Sequence, residues 1–287
     1  SFGDLVVPVT VKAKDATLLS SMKEIVANNK QAKLTDAQGD VFIEQGADGF
    51  SADSIYISTS GDYRLGVCSK SLAPDQLASF IGSKIAGYGR AAYLRNLNMK
   101  NEELNVVFEF VPIDYKPAAG NNNALITDLP EKTIKDPSGN IIFQHNDRYN
   151  LRVINNGQER LYYNILEIQP DNLVNVLFPA SNQQPMDCFI NPGDTVRLTR
   201  IFRIGPPDGM NVIKLVAAKA PLNLRQIFVV QGNSRGEQPK ANNPFEKLMQ
   251  GINRTDGIQT RGSGEETIQP DAVNIFSVPY KIVPKKQ

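Results

Sequence analysis

The chain has 287 residues, 41% hydrophobic and 21% charged, the balance of a folded globular protein rather than a disordered one. That length exceeds the ~100–200 residues of a usual single core, so two domains are the starting expectation. The 31 basic and 30 acidic side chains leave a net charge of +1, which removes any electrostatic argument for nucleic acid or an anionic membrane, and no run approaches the ~20 apolar residues that span a bilayer.

From the N-terminus, Leu5–Val11 reads as a strand, and Asp15 stands where it can cap a helix whose Leu18, Met22, Ile25 and Val26 share one face. Asn28 and Asn29 end that helix. Short strands follow at Lys33–Thr35, Val41–Glu44, Ser54–Ser58 and Tyr63–Cys68, separated by Gly39, Gly46, Gly49 and Gly61. A longer helix starts near Pro74, with Asp75 favourable at its positive end and Leu77, Ile81, Ile85, Tyr88 and Ala92 turned inward. Gly82, Gly87 and Gly89 lie inside it without the Lys-Ser/Thr of a phosphate loop, so close packing of helix on sheet is the expected reason for them. Arg90 and Arg95 on the same helix face solvent or a partner. Val106–Val111 is rich in β-favouring residues and closes a first domain, residues 1–116, expected to be an α+β layer with two helices on one face of a mixed sheet.

Residues 117–139, with Pro117, Gly120, Asn121–Asn123 and Pro130, read as a linker. A second domain, 140–230, follows as an all-β antiparallel sandwich-like unit. In it Tyr149, Leu151 and Val153 alternate with polar residues, and Asn155-Asn156-Gly157 supplies φ > 0 turn positions, which predicts a hairpin with the next run, Leu161, Tyr163 and Ile165. Further runs lie at Val174–Phe178, Cys188–Ile190, Val196–Ile201 and Val212–Ala218, the last apolar enough for burial on both faces. Residues 231–271 are glycine-rich and read as a flexible segment, interrupted by a short helix near 243–251 with Asn243 as cap and Phe245, Leu248 and Met249 as its apolar side. Residues 272–287 return as a terminal strand and tail that can complete a sheet edge of either domain.

The phrases DRYNLRVIN (147–155), LYYNILEIQPDNLVNVLFP (161–179), DCFINPGDT (187–195) and PPDGMNVIKLVAAKAPLNL (206–224) fall in a span of about a quarter of the chain. This part resembles the domain of unknown function that lies C-terminal to caspase-like cysteine peptidases in bacteria, particularly the Bacteroidetes. The resemblance implies a soluble regulatory or binding appendage in the bacterial cytoplasm or periplasm, with the upstream peptidase domain or another protein as partner. It carries over no catalytic residue, because the peptidase motif is missing. The start at Ser1 rather than Met accords with a segment of a longer protein.

The residues themselves point the same way. His145 and Cys188 are the only pair that suggests a Cys–His dyad, but they sit in FQHND and MDCFINPG, without the His-Gly and Asp-x-Cys turns such enzymes use. One histidine and two scattered cysteines, Cys68 and Cys188, cannot supply a zinc site, and buried free thiols are the expectation for both. Asp36 and Asp40 with Glu44, and separately Asp48-Gly49, look superficially suited to calcium, but the first lacks the remaining ligand positions of an EF-hand loop and acidic turns are as a rule only solvated turns. No catalytic, cofactor or metal residue is assigned. Tyr162 and Tyr163 are adjacent on a predicted strand, so one faces outward, and both are candidates for partner binding. An independent enzyme built on scattered carboxylates, or an assembly subunit, are the alternatives.

Overall fold

Asp15 is extended, and its carboxylate accepts the backbone N–H groups of Thr17 and Leu18, two donors that a helix start leaves open, so α1 runs Ala16–Ala27. It lies between β1 (Val7–Lys12) and β2 (Ala32–Leu34). The chain continues through β3 (Val41–Gln45), β4 (Ser54–Thr59), β5 (Arg64–Ser69) and α2 (Pro74–Asn96). This is a computed structural model describing residues 6–46, 49, 51–117, 124–229, 243–253 and 273–285. The sheet order is β2-β1-β3-β4-β5, parallel for β2, β1 and β3 and antiparallel from β3 to β5. Val9, Ile43 and Ile57 of the sheet are fully buried with Met22 and Val26 of α1 and Ile81 and Ile85 of α2, as the 3.6-residue spacing requires.

Two of the three glycines of α2 do not fit the close-packing expectation, whereas Gly89 is buried. A Cβ added at Gly82 would meet only the Asn29 side chain at 3.6 Å, and at Gly87 only Arg90 at 3.7 Å, both ordinary contacts. The tight position is Gly66 of β5, where a Cβ would lie 2.8 Å from Phe80 and from Lys84 of α2. Arg90 and Arg95 are half-buried, and burial lowers the pKa of each.

The second compact unit begins at Leu97, twenty residues before the predicted linker. Its strands are β6 (Val106–Lys116), β7 (Leu125–Asp128), β8 (Ile141–Gln144), β9 (Arg148–Asn155), β10 (Leu161–Ile168), β11 (Val174–Phe178), β12 (Phe189–Ile190), β13 (Thr195–Arg197), β14 (Phe202–Arg203) and β15 (Gly209–Ala218). Two helices, α3 (Leu224–Val229) and α4 (Pro244–Asn253), precede β16 (Asn274–Val283). One sheet has the order β13-β9-β6-β7, with β14 also on β9; the other has the order β11-β10-β15-β16-β8, with β12 also on β10. A single core lies between them, joining Phe108, Phe110, Leu151 and Val153 of the first to Ile165, Ile213, Leu215 and Tyr280 of the second.

Four expectations are corrected here. β6 belongs with the second unit, because it pairs with β9 from Val106↔Asn155 to Ile113↔Arg148 and its alternate residues enter that core. Part of the predicted linker is structured: β7 pairs with β6, and a 3-10 turn at Glu131–Ile134 buries Ile134. The terminal strand β16 is internal to its sheet, antiparallel to β15 and parallel to β8, so that sheet is not purely antiparallel. Finally, β9 and β10 form no hairpin. Both edges of β9 are occupied, by β6 on one side and by β13 and β14 on the other, so the chain at Asn155–Gly157 crosses to the facing sheet.

That crossing uses its residues differently from a hairpin turn. None of the three has left-handed backbone. The buried Asn155 side chain donates to the carbonyls of Glu159 (2.8 Å) and Ile190 (3.2 Å), and a Cβ on Gly157 would sit 2.9 Å from the Glu103 carbonyl oxygen, so glycine serves close approach.

The short helix expected near 243–251 is α4: Asn243 Oδ1 accepts from Glu246 N at 2.8 Å, and Phe245 and Met249 are buried. The rest of the segment 231–271 lies outside the described residues, as do residues 118–123 of the predicted linker. Among the described residues no helix is long and apolar enough to cross a membrane.

Candidate functional site

His145 and Cys188 lie at opposite ends of β9. His145 is in the turn just before the strand, its Nε2 bonded to Asp208 Oδ1, whereas Cys188 precedes Ile190, whose carbonyl meets Asn155 at the strand's far end. An eight-residue strand spans about 25 Å, far beyond hydrogen-bond reach for a dyad. Burial, with Asp187 adding to it, pushes the Cys188 thiol up to about 11, away from the thiolate a nucleophile needs. Both cysteines are free thiols, Cys188 buried and Cys68 half-buried. Glu44 of the suggested calcium loop pairs with Lys12 at 3.1 Å, and Asp48 is outside the described residues. Among the described residues no three His, Cys, Asp or Glu side chains gather as a metal would require.

The adjacent tyrosines separate as strand alternation dictates. Tyr163 points into the core at 5% exposure, its phenol pKa raised by burial, so it cannot meet a partner. Tyr162 is half-buried on the outer face and sits directly opposite Phe189 of β12, their rings 6.4 Å apart and edge-on. The Arg160 guanidinium lies 4.7 Å over the Phe189 ring, which is 39% exposed. Together they form a cationic and aromatic surface of the kind enriched at interfaces.

A cavity of about 540 Å³ opens within the second unit, lined from both sheets and from α3. Tyr149 of β9 is hydrogen-bonded to Tyr280 of β16, and the Tyr280 hydroxyl donates to Glu167 Oε1 of β10. Glu167 Oε2 accepts from Gln169 Nε2 and Asn175 Nδ2, each at 3.1 Å, so both carboxylate oxygens are engaged. Burial first, then the neighbouring phenol and carboxylate, raises the Tyr280 pKa, and the phenol remains a donor. Opposite stand three arginines. Arg225 of α3 donates through Nε to the Pro179 carbonyl at 2.7 Å and through Nη2 to that of Val176. Arg203 of β14 donates to Asn146, and Arg200 lies 4.9 Å over Phe202, itself stacked on Tyr149 at 5.1 Å.

Sequence reasoning missed this cavity because its polar residues come from widely separated segments. One signal was there. Glu167 continues the inward series Leu161, Tyr163, Ile165, so the pattern put a carboxylate on a core-facing position. A second charge in an apolar run, Lys214 of β15, lies on the other face of its sheet and is 3% exposed. Its Nζ donates to the Leu97 carbonyl (2.9 Å) and Ser277 Oγ (2.8 Å). Burial lowers its pKa to about 8.

That shift has a signed consequence. An unfolded lysine keeps its proton to about 10.4, so between pH 8 and 10 the unfolded chain binds more protons than the folded one and stability rises with pH. Below about 8 both states carry the charge and the full cost of burying it is felt. The buried Cys188 thiol, raised to about 11, acts oppositely from about 8.5, where an unfolded thiol ionises, and buried Tyr149, Tyr163 and Tyr280, also raised, do so above about 10. Between pH 8 and 10 the slope of melting temperature against pH is therefore expected to be more positive in the native chain than in Lys214→Met, by a few °C over the interval on the order given by domain-size scaling, with Lys214 as the source of the difference. An equal slope in both proteins would show that Lys214 makes no such contribution.

No protein-family model matches the chain, and no curated protein matches it.

Proposed function

We propose that this chain is a non-catalytic accessory region of a larger caspase-like cysteine peptidase, an α+β layer followed by a sandwich-like unit, that binds the peptidase domain or another protein partner. The observation that carries this reading is the outward cross-strand pair Tyr162 and Phe189 with Arg160 stacked on it. Aromatic rings capped by a guanidinium combine large apolar contact with a polar handle, and such anchors supply most of the energy of an interface. The resemblance of residues 147–224 to a peptidase-associated domain supplies the context. The test has two parts. The reading frame that precedes Ser1 should encode a caspase-like domain, and its absence would remove that context. With that domain produced separately, the double variant Tyr162→Ser, Phe189→Ser should bind it about 30-fold more weakly while keeping a native circular dichroism spectrum; undiminished binding would sink the proposed surface.

A second reading, assembly by strand addition, is favoured by β7. All four of its residues are exposed, Leu125 at 60% and Ile126 at 46%, and among the described strands it pairs only with β6. The enzyme alternative has weaker support, since Glu167 is the one carboxylate lining the cavity and both its oxygens already accept hydrogen bonds.

A further inference from the structure

The cavity beside Glu167 is unusual in its charge. Three arginines line it against a single carboxylate, and among the described residues none of the three is in a salt bridge. Glu167 is saturated by Tyr280, Gln169 and Asn175, so it does not answer them. Positive charge lining a concave site focuses the field and raises the local concentration of anions.

Two of the arginines are also positioned for recognition. Two backbone carbonyls hold Arg225, so its guanidinium is fixed before any ligand arrives and little conformational freedom is lost on binding. Arg200 approaches from the loop between β13 and β14, stacked on Phe202. It is near enough that its charge adds to burial in lowering the Arg225 pKa, a repulsion that an anion placed between them would relieve. The size, about 540 Å³, lies within the range of small-molecule sites.

We propose that this cavity binds a small organic anion of metabolite size, a phosphate ester or a carboxylate, whose charged head is taken between Arg200 and Arg225. Guanidinium groups pair with either head in the same bidentate manner. The site is independent of the Tyr162 surface, so it stands whether or not the chain accompanies a peptidase.

The test is calorimetric titration of the whole chain at low salt with phenyl phosphate, benzoate and phenol. Saturable binding of one or both anions and none of phenol is expected, and the ratio of the two affinities names the head group. Arg200→Gln, at an exposed position, should weaken the anion about ten-fold, and Ser181→Trp, which fills the cavity, should abolish binding. Equal binding of phenol would make the cavity apolar in its selectivity and overturn the proposal. So would the absence of any binding up to about 10 mM, or native affinity in both variants, which would put the anion elsewhere.

Discussion

Replacing Phe110 with alanine is expected to cost the second unit about 3–5 kcal/mol, the largest loss anticipated for a single side chain. Phe110 is 3% exposed, and its ring stands edge-on to Phe143 of β8, Tyr149 of β9 and Tyr280 of β16 at 5.4, 5.1 and 5.5 Å. These partners come from both sheets, so the cavity left behind cannot close by moving one strand. Each lost aromatic pair adds about 0.5–1.5 kcal/mol to the transfer term. Denaturant unfolding of the whole chain measures this directly, with Met186→Ala, at a position 65% exposed, as a surface control expected to stay within about 0.5 kcal/mol. A loss below about 1 kcal/mol for Phe110→Ala would mean that the two sheets do not share the core described.

Truncation should separate the two possible boundaries still more sharply. A fragment beginning at Leu97 is expected to unfold in one cooperative transition, whereas a fragment beginning at Pro117 is expected to lose that transition and aggregate. The difference between them is β6. It supplies Val106, Phe108 and Phe110 to the core, pairs with β9 along its length, and carries β7 on its other edge. Without it β9 presents an open hydrogen-bonding edge beside exposed apolar side chains, the arrangement that invites intermolecular pairing. A sharp transition and dispersed amide spectrum from the Pro117 fragment would reassign β6 to the first unit.

Local elements were readable because they rest on short-range rules. Asp15 as a cap, the 3–4 residue spacing of Leu77, Ile81 and Ile85, and the strict alternation of Tyr149, Leu151 and Val153 all reappear in the structure. Partners of strands were not readable in the same way. The turn at Asn155–Gly157 has the composition of a hairpin, yet the edges of β9 were already taken by strands about 40 residues away on either side, and edge occupancy is not written near the turn. The boundary failed for a related reason. Val106–Val111 has the same strand signal whichever sheet it joins, and a proline- and glycine-rich stretch after it was more conspicuous than the short passage near Leu97.

The candidate functional residues divide along the same line. Alternation alone required that Tyr162 and Tyr163 face opposite ways and that Glu167 fall on the core side of its strand, because the side-chain period of a strand is two. Which tyrosine turned outward, that Phe189 would lie opposite it, and that Arg200, Arg203 and Arg225 would line the same cavity as Glu167 depended on the pairing of β10 with β12 and on the packing of α3. Such contacts join residues far apart in the chain, as Tyr280 and Glu167, separated by 113 positions, show. Periodicity acts between neighbours in the chain and so could be read from it; the charge around the cavity is a sum over distant segments, and only the folded arrangement of the two sheets brought them within reach of one another.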